Sequence, residues 1–447
     1  MKKIQLYRMA LLAMLPTLVL TSCRFTDEDY FDESPALRIE HQGDAVRELL
    51  TSAPNGWVMQ FFCASEEATF EGFNLFARFE ANDKVTFASN HRFLRNGNAG
   101  KYTEASSIYE ILNEDGLVLA FNVWNDVLTP FSDPVSFGYA PNNIVKNGIG
   151  MYGDHNFVVM SYNDNEIIMR GERHQAEVRL KKLDCSWTDY IAKTDSMKAV
   201  ITNTAINSYY VTNGDQTLYF SGLRKGSFLF TDNLDKTKSV KVDSIACCFT
   251  PTGFRLERQN TIGQDKFHEF TISDDTSCLI SEDGKVKVIP CWDTYMVSHT
   301  AIWELDTTMF TDAQKALYTE LNGLLNKFNA SWSLKGIGFG KSTGGNSLNG
   351  VVLNCYVNTA KTKTNTLGIE VLQKRDAYGK ISVNPTVAVK TDNNMNAVEK
   401  KVPGFIAKVQ EFVETLYGTY NVTPNDYFLP TGGLYTATDG GNTFKLQ

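Results

Sequence analysis

The chain has few histidines and prolines, no pair of cysteines spaced as CxxC, and more acidic than basic residues. It contains 6 His and 12 Pro in 447 residues, and 43 Lys and Arg stand against 51 Asp and Glu, for a net charge of −8. The absence of CxxC pairs excludes a zinc site built on such pairs. The acidic balance without a basic block argues against a nucleic-acid partner, because binding to phosphates needs clustered Lys and Arg. The low proline content and the many aromatics favour folded β-rich domains over disorder.

The cysteines do not form a disulfide framework. One of them, Cys23, lies just after an apolar run near the N-terminus, and the seven others are scattered along the chain, so we expect mostly buried thiols. Cys278 and Cys291 flank an apparent hairpin with residues 283–284 as its two-residue turn. That turn sets Cys278 opposite Ile289, which leaves the two cysteines as diagonal neighbours at the edge of bridging reach.

The N-terminal apolar run is too short for a transmembrane helix. Residues 9–20 are apolar apart from Thr17 and are broken by Pro16. This is roughly a dozen residues, whereas a bilayer core needs about 20. A positive region precedes the run and is formed by Lys2, Lys3 and Arg8. The pattern predicts a secretory signal peptide over residues 1–22.

The end of this signal is more specific than that of an ordinary secretory peptide. Leu20-Thr21-Ser22-Cys23 resembles the bacterial lipobox. The resemblance implies diacylglycerol on the Cys23 thiol, cleavage before that residue, and acylation of the new amino group with a fatty acid such as palmitate. Two or three acyl chains anchor a protein stably to a membrane. The alternative is an ordinary cleaved signal with a chance cysteine.

Acidic residues crowd the next stretch, residues 23–33. They are Asp27, Glu28, Asp29, Asp32 and Glu33. Like charges repel and disfavour packing, so this stretch predicts a solvated tether. It also resembles the export signal that sends Bacteroidetes-type lipoproteins to the cell surface. We therefore expect an outer-membrane protein, anchored through Cys23 to lipid, whose folded domains face the cell exterior.

The remaining chain predicts an α+β fold with mostly antiparallel β-sheets and a few amphipathic helices. Helices are predicted at 34–53, 106–112, 185–203, 311–329 (with Thr311 as N-cap) and 402–417. Short strands separated by turn residues fill the intervals, including 386–391 and a terminal edge strand at 441–447. In the middle of the chain their regular spacing favours an antiparallel sheet or sandwich.

Roughly 425 mature residues exceed one typical hydrophobic core, so two to three domains are expected. The predicted division is an N-terminal α+β domain at 34–184, a β-rich middle domain at 185–305 and a C-terminal α+β domain at 306–447. The helix-then-strands order recurs in these parts, but no clear sequence repeat accompanies it.

No catalytic signature stands out. Residues 340–344 fit GxSxG, but a nucleophile elbow needs a helix directly after it, and the glycine-rich "GGNSLNG" that follows predicts a hairpin loop instead. His268-Glu269 lacks the second histidine of a zinc protease motif. No cofactor and no metal are predicted. A pair of carboxylates for sugar hydrolysis stays open, because the fold alone sets their separation.

One segment, residues 121–154, has suggestive binding chemistry. Its aromatics alternate with Asn, Asp and Gly, and the candidate binding residues are Trp124, Phe131, Tyr139 and Tyr152. Aromatic faces beside polar groups can stack on and hydrogen-bond a sugar or a peptide. The alternative is a long loop that its own aromatics pin to the domain.

Three short stretches carry a family resemblance. "LLTSAPNGWVM", "FSDP" and "GDHNFVVMS", in this order after a lipobox and an acidic tether, are similar to a family of uncharacterised Bacteroidetes lipoproteins with a domain of unknown function. The resemblance implies a gene near outer-membrane nutrient-uptake systems of the starch-utilisation type. It brings no established activity and no catalytic residues.

Together these patterns predict a lipid-anchored cell-surface lipoprotein that acts as a non-catalytic binding component linked to nutrient uptake. Its expected partners are outer-membrane lipid, a glycan or peptide ligand, and outer-membrane uptake proteins. The alternatives are a surface hydrolase, either a glycoside hydrolase or a peptidase, and a structural or adhesive surface protein. A deep cleft with convergent catalytic groups would favour the hydrolase.

Overall fold

The computed structural model describes residues 35–447 apart from 64–70, 95, 115, 134–150, 204, 225 and 232–241. The predicted signal peptide, the acidic tether with Cys23, and Tyr139 lie outside the described residues. The described part consists mostly of antiparallel β-sheets with several α-helices, which confirms the predicted α+β class. None of its helices is both long and apolar enough to span a bilayer.

Four of the five predicted helices are confirmed. The helices of the described residues are α1 (Pro35–Thr51), α2 (Trp187–Ile201), α3 (Trp292–Ser298), α4 (Asp312–Phe328), α5 (Asn393–Lys401) and α6 (Phe405–Glu414). The predictions at 34–53, 185–203, 311–329 and 402–417 correspond to α1, α2, α4 and α6. Thr311 is the N-cap of α4, as predicted: its Oγ1 accepts from the Gln314 N–H at 3.2 Å, and the Gln314 side chain accepts from the Thr311 N–H at 2.9 Å.

The N-terminal part is a nine-stranded antiparallel sheet with the order β4-β3-β2-β1-β9-β8-β7-β6-β5. Its strands are β1 (Trp57–Phe61), β2 (Phe73–Phe79), β3 (Lys84–Ser89), β4 (Thr103–Ile108), β5 (Glu110–Glu114), β6 (Gly116–Ala120), β7 (Asn156–Asn163), β8 (Glu166–Gly171) and β9 (Glu177–Lys182). Strands β2 and β3 pair as a hairpin, and so do β7 and β8.

This sheet curls around α1. The two strands at its opposite edges, β4 and β5, are separated in the chain by Tyr109 alone. Both edges must therefore approach each other, and α1 packs against β2, β5 and β6 on the inner side. Val46 and Leu50 of α1 are buried there, and the Trp57 indole N–H donates to the Leu50 carbonyl at 2.9 Å.

The predicted short helix at 106–112 is wrong, because that stretch forms β4 and β5. β4 pairs with β3, and β5 pairs with β6, so both halves satisfy their backbone groups in sheet ladders. Tyr109 between them is fully buried in the core. Non-local pairing here overrides a weak local helix preference.

The middle part is a closed barrel rather than an open sheet or sandwich. Its eight antiparallel strands are β10 (Ser208–Thr212), β11 (Thr217–Arg224), β12 (Ser227–Thr231), β13 (Val242–Thr250), β14 (Gly253–Ile262), β15 (Asp265–Ile272), β16 (Leu279–Ser281) and β17 (Lys287–Pro290). Strand β17 pairs with β10, which closes the ring. Spacing alone predicts the strands, but closure depends on a contact between the first and the last of them.

The cysteine predictions are confirmed for the described residues. All seven cysteines there are free, and five of them are buried. In the β16–β17 hairpin Leu279 pairs with Val288, and extending that register by one residue sets Cys278 opposite Ile289, as the predicted turn requires.

The C-terminal part contains two smaller antiparallel sheets. The first consists of β18 (Trp303–Glu304), β19 (Ser333–Lys341), β20 (Asn349–Tyr356) and β21 (Thr364–Glu370). The second consists of β22 (Leu372–Ala377), β23 (Lys380–Asn384), β24 (Gly418–Pro424), β25 (Gly433–Ala437) and β26 (Thr443–Leu446). Strand β26 lies at the edge of its sheet, as predicted for the C-terminal residues.

One prediction in this part is wrong. Residues 386–391 form no strand: Val387 is fully exposed, and the segment meets β21 at its end, where Thr391 bridges to Ile369 and the Glu370 N–H donates to the Lys390 carbonyl at 2.9 Å. Alternating valines without a partner strand or a buried face do not make a strand. The helix predicted at 402–417 is confirmed as α6 but is shorter than predicted, because Gly404 with its left-handed φ of 90° separates it from α5 and it begins at Phe405.

The apolar interior forms two large clusters. One lies inside the N-terminal sheet and includes Val46 and Leu180. The other runs continuously from Ile201 through the barrel into both C-terminal sheets as far as Leu446. The domain boundaries at 184/185 and 305/306 stay a prediction.

Candidate functional site

The predicted aromatic segment places its residues in different environments. Trp124 is 47% exposed, and its indole N–H donates to Asp126 Oδ1 at 2.7 Å. Tyr152 is half-buried with its ring edge-on to His174 at 5.0 Å. Phe131 is fully buried, and Tyr139 lies outside the described residues. The described aromatics therefore do not share one exposed surface.

Phe131 belongs to the core of the N-terminal sheet. Its ring centroid lies 4.6 Å from that of His91, 4.8 Å from that of Phe73 and 5.1 Å from that of Phe61. A ring enclosed in this way cannot stack on a ligand while the fold is intact. Among the described candidates of this segment, Trp124 and Tyr152 are thus the two that solvent can reach.

The loop that carries Trp124 is fastened to the sheet by Asn125. The Asn125 amide donates to the Ala105 carbonyl at 3.0 Å and to Ser107 Oγ at 3.2 Å, both on β4. Its carbonyl oxygen accepts from the Val127 N–H at 3.0 Å. Trp124 therefore stands on a fixed backbone beside an edge strand, a suitable platform for stacking.

A second candidate site was not predicted from the sequence. It is a cleft of about 240 Å³ between the outer face of the N-terminal sheet, helix α2 and the barrel. We call it the sheet–barrel cleft. Its polar lining includes Glu71, Asn74, Ser89, Asn90, His91, Arg92, Tyr190, Thr194, Asp195 and Lys198.

The floor of the cleft is a tight seam between sheet and barrel. The Asn74 amide of β2 donates to the Phe249 carbonyl of β13 at 2.8 Å, and the Gly72 N–H donates to the Cys247 carbonyl at 2.9 Å. A Cβ on Gly72 would lie 2.5 Å from both Cys248 Cβ and the Phe62 ring, so this approach requires glycine. The seam fixes the two walls relative to each other.

The charges in the cleft centre on Glu71. Its carboxylate lies 3.5 Å from Arg92 Nε on the sheet wall and 3.4 Å from Lys198 Nζ on α2. Good charge-assisted hydrogen bonds are about 2.7–2.9 Å long, so both contacts are loose. Within the described part of the chain, Arg92 Nε is buried without a hydrogen-bond partner.

Two buried residues shape the cleft without adding charge. His91 donates from Nε2 to the Val127 carbonyl at 2.9 Å and accepts at Nδ1 from the Phe93 N–H at 3.2 Å. Burial lowers the pKa of His91 to about 4 against a smaller opposing effect of the Val127 carbonyl, so the ring is neutral at pH 7. The Thr194 hydroxyl is buried and has no partner among the described residues.

A network of charged residues beside the cleft links the N-terminal sheet to the barrel. Lys181 of β9 contacts Glu269 of β15 at 2.7 Å, and the fully buried Arg255 of β14 contacts Glu177 of β9 at 2.5 Å. Burial and the neighbouring Arg255 lower the pKa of His268 to about 4. These two ion pairs connect β9 to the barrel, and Arg255 Nε and Nη1 are buried without a hydrogen-bond partner among the described residues.

A larger cavity of about 540 Å³ lies in the C-terminal part. It is lined by residues that include His299, Gln373 and Val387. His299 stacks on Trp303 with a centroid distance of 3.6 Å and donates from Nδ1 to the Ala301 carbonyl at 2.8 Å. Burial lowers the pKa of His299 to about 4, and the ring is held as a packing element.

The motifs considered for catalysis are structural where the structure describes them. Ser342 of the GxSxG stretch lies in the turn between β19 and β20, and its Oγ accepts from the Leu348 N–H at 3.1 Å, which confirms the predicted hairpin loop. Within the described residues, no three His, Cys, Asp or Glu side chains cluster in a way that could hold a metal ion.

The fold and the cleft together define an α+β protein in which a sheet curled around a helix is docked on a closed barrel. The chain belongs to the family described as Domain of unknown function (DUF4302), whose model matches residues 27–274. This confirms the resemblance to a family of unknown function. The match extends from the tether through α1, the N-terminal sheet and α2 to the end of β15, so it contains the whole sheet–barrel cleft. No curated protein matches the chain.

Proposed function

We propose that this protein is a non-catalytic binding protein, lipid-anchored at the cell surface, that captures a glycan or peptide ligand in the sheet–barrel cleft. The observation that carries the proposal is the cleft itself, where Glu71, Arg92, Thr194 and Lys198 line one cavity with few good hydrogen bonds between them. Polar groups of this kind cost free energy unless a ligand or water satisfies them.

The size of the cleft limits what can enter it. Pockets for drug-sized ligands are about 300–1,000 Å³. At about 240 Å³ the cleft fits a small polar molecule or one end of a longer chain. Binding of one end of a chain suits a surface protein that transfers its ligand to an uptake system. The exposed Trp124 is a second surface on which a longer ligand can stack.

The proposed location rests on the N-terminal sequence. The lipobox ending at Cys23 supports anchoring in outer-membrane lipid, and the acidic stretch after it supports exposure to the cell exterior. A tether of this kind leaves the folded part free to meet extracellular ligands and outer-membrane uptake proteins.

A bulky residue at the mouth of the cleft tests the binding role. Asp195 is exposed on α2 and lines the cleft, whereas its neighbour Ser196 is exposed on the same helix outside it. The full mature chain is applied to glycan and peptide arrays as wild type, Asp195→Trp and Ser196→Trp. We expect Asp195→Trp to lose the wild-type hits and Ser196→Trp to keep them.

Equal retention of every hit by both variants would contradict a binding role for the cleft. Incubation of each hit with the wild type, followed by mass spectrometry, separates binding from turnover. Cleaved products would favour the surface-hydrolase alternative, and silence on every array would favour a structural or adhesive protein.

Replacement of the lipobox cysteine tests the anchor. We expect Cys23→Ala to abolish lipidation, because the thiol is the acceptor of the diacylglycerol group. Cells are grown with labelled palmitate, and the label in the immunoprecipitated protein is compared with that in wild type. Equal labelling of both chains would contradict the lipid anchor.

A further inference from the structure

We infer that the sheet–barrel cleft is built for an acidic sugar, a uronic acid whose carboxylate binds between Arg92 and Lys198 in the place that Glu71 occupies. This inference rests on the proposed binding role of the cleft and names the ligand class. The inference rests on two cations on opposite walls of the cleft and on one carboxylate of the protein that lies between them.

The positions of the two cations mark an anion site. Arg92 follows strand β3 of the sheet, Lys198 lies on α2, and Glu71 reaches both at 3.5 and 3.4 Å. The Glu71 side chain is 18% exposed, whereas those of Arg92 and Lys198 are 37% and 43% exposed. Glu71 thus neutralises two cations that would otherwise repel each other, and it does so with loose contacts.

Glu71 leaves a hydrogen-bond donor of Arg92 unsatisfied, and a ligand carboxylate can satisfy it. Its Nε is buried and has no hydrogen-bond partner in the described part of the chain. Its guanidinium lies over the Phe93 ring at 5.0 Å, which holds the planar group in place. A planar guanidinium recognises a carboxylate through two parallel hydrogen bonds, and a ligand carboxylate that enters the cleft can adopt that geometry.

The remaining polar groups of the cleft fit sugar hydroxyls. Asn90, Thr194 and Asp195 present amide, hydroxyl and carboxylate groups around the same space, whereas the Ser89 hydroxyl already donates to the Asn74 carbonyl at 2.9 Å. Thr194 is 8% exposed, and its hydroxyl has no partner among the described residues. Hydroxyls of a sugar ring both donate and accept, so they can satisfy this mixed set. The carboxyl end of a peptide would instead need a pocket for its last side chain.

Glu71 acts as an internal competitor in this arrangement. The ligand carboxylate must displace it from Arg92 and Lys198 before the anion site is filled. Removal of the Glu71 charge should therefore strengthen binding of an acidic sugar, whereas removal of either cation should weaken it. A general loss of structure would weaken binding in every variant, so it cannot explain changes in affinity of opposite sign at residues that contact each other.

Isothermal titration calorimetry on the full mature chain, purified from membranes in mild detergent, tests the inference. The probes are trigalacturonate, galactotriose and a tripeptide with a free carboxyl end. We expect trigalacturonate to bind at least about tenfold more tightly than galactotriose, the ratio that one charged hydrogen bond supplies. Its affinity should fall as salt is raised, because salt screens the two partly exposed cations.

Three variants complete the test. Arg92→Gln should weaken trigalacturonate binding by about tenfold. Glu71→Gln should strengthen it severalfold. Lys390→Gln, which removes a comparable surface ion pair with Glu370 at 2.8 Å in the C-terminal part, should leave it unchanged. Melting curves confirm that each variant is folded.

The results separate this inference from the proposed function. Equal affinity for trigalacturonate and galactotriose, or weaker binding in Glu71→Gln, overturns the acidic-sugar inference. If Asp195→Trp then abolishes the binding that remains, the cleft keeps its proposed role. Preference for the tripeptide also overturns the inference and leaves a peptide-binding cleft. Failure of all three probes to bind overturns the inference, and the array result then decides the proposed function.

Discussion

Two aromatics of one loop region, Trp124 and Phe131, have opposite structural roles. Trp124 is 47% exposed, and Phe131 is fully enclosed by other rings. Truncation should therefore affect different properties of the protein at the two positions. The pair offers a matched experiment within a single segment.

We predict that Trp124→Ala changes the melting temperature little and weakens ligand binding by about 1–3 kcal/mol, the loss typical of a truncated stacking aromatic. Phe131→Ala should cost about 3–5 kcal/mol of stability through lost transfer energy and a cavity. Differential scanning calorimetry and the binding arrays measure both effects. A loss of stability in Trp124→Ala as large as that in Phe131→Ala would rule out a binding role for Trp124.

The charged residues of the cleft show why the sequence did not reveal this site. Glu71 and Lys198 are 127 positions apart, and no motif or spacing connects them. They meet only because Gly72 lets the sheet approach the barrel and because α2 lies across the seam. Trp124 could be singled out from composition alone, whereas Phe131 could not be distinguished from it, because burial is a tertiary property.

Among the elements, those with local signals were predictable. Helix α4 has a capping box and an apolar face, and the β16–β17 hairpin has its register fixed by the turn at Gly284. Strands β4 and β5 are not predictable from their own residues, because they form by pairing with β3 and β6. The same pairing buries Tyr109 between them. Closure of the barrel likewise depends on pairing between its terminal strands.

Two glycines give a test of the seam between elements. We predict that Gly72→Ala destabilises the protein by roughly 1–3 kcal/mol, because its Cβ would overlap Cys248 and Phe62. Gly323→Ala in the exposed middle of α4 meets nothing within 4 Å and should stabilise by roughly 0.5–1 kcal/mol. Thermal unfolding of both variants measures the contrast. A neutral Gly72→Ala would contradict the close packing of sheet on barrel.

At the scale of the whole molecule, three parts of the structure each bury a neutral histidine. His91 lies in the N-terminal core, His268 at the sheet–barrel interface and His299 in the C-terminal part. Burial is the largest cause that lowers the pKa of each to about 4. In the unfolded chain these rings titrate near about 6.5.

We therefore predict that the melting temperature falls as the pH is lowered from 7 to 5.5. The unfolded chain binds protons at these histidines in that range and the folded chain does not, so acid favours unfolding; the effect is complete once the pH is below about 4. Carboxylates of the unfolded chain are mostly ionised above pH 5.5, so its histidines take up most of the protons in this range. A melting temperature that is constant between pH 7 and 5.5 would contradict the buried neutral rings.

The central claim is that the molecule binds its ligand at the cell surface through the sheet–barrel cleft. The most direct test is the binding of the strongest array hit, fluorescently labelled, to intact cells that carry the wild type, Asp195→Trp or Ser196→Trp chain. We predict that wild-type and Ser196→Trp cells bind the label equally, and that Asp195→Trp cells and wild-type cells treated with external protease do not. Undiminished binding by Asp195→Trp cells, or by protease-treated cells, would contradict the account.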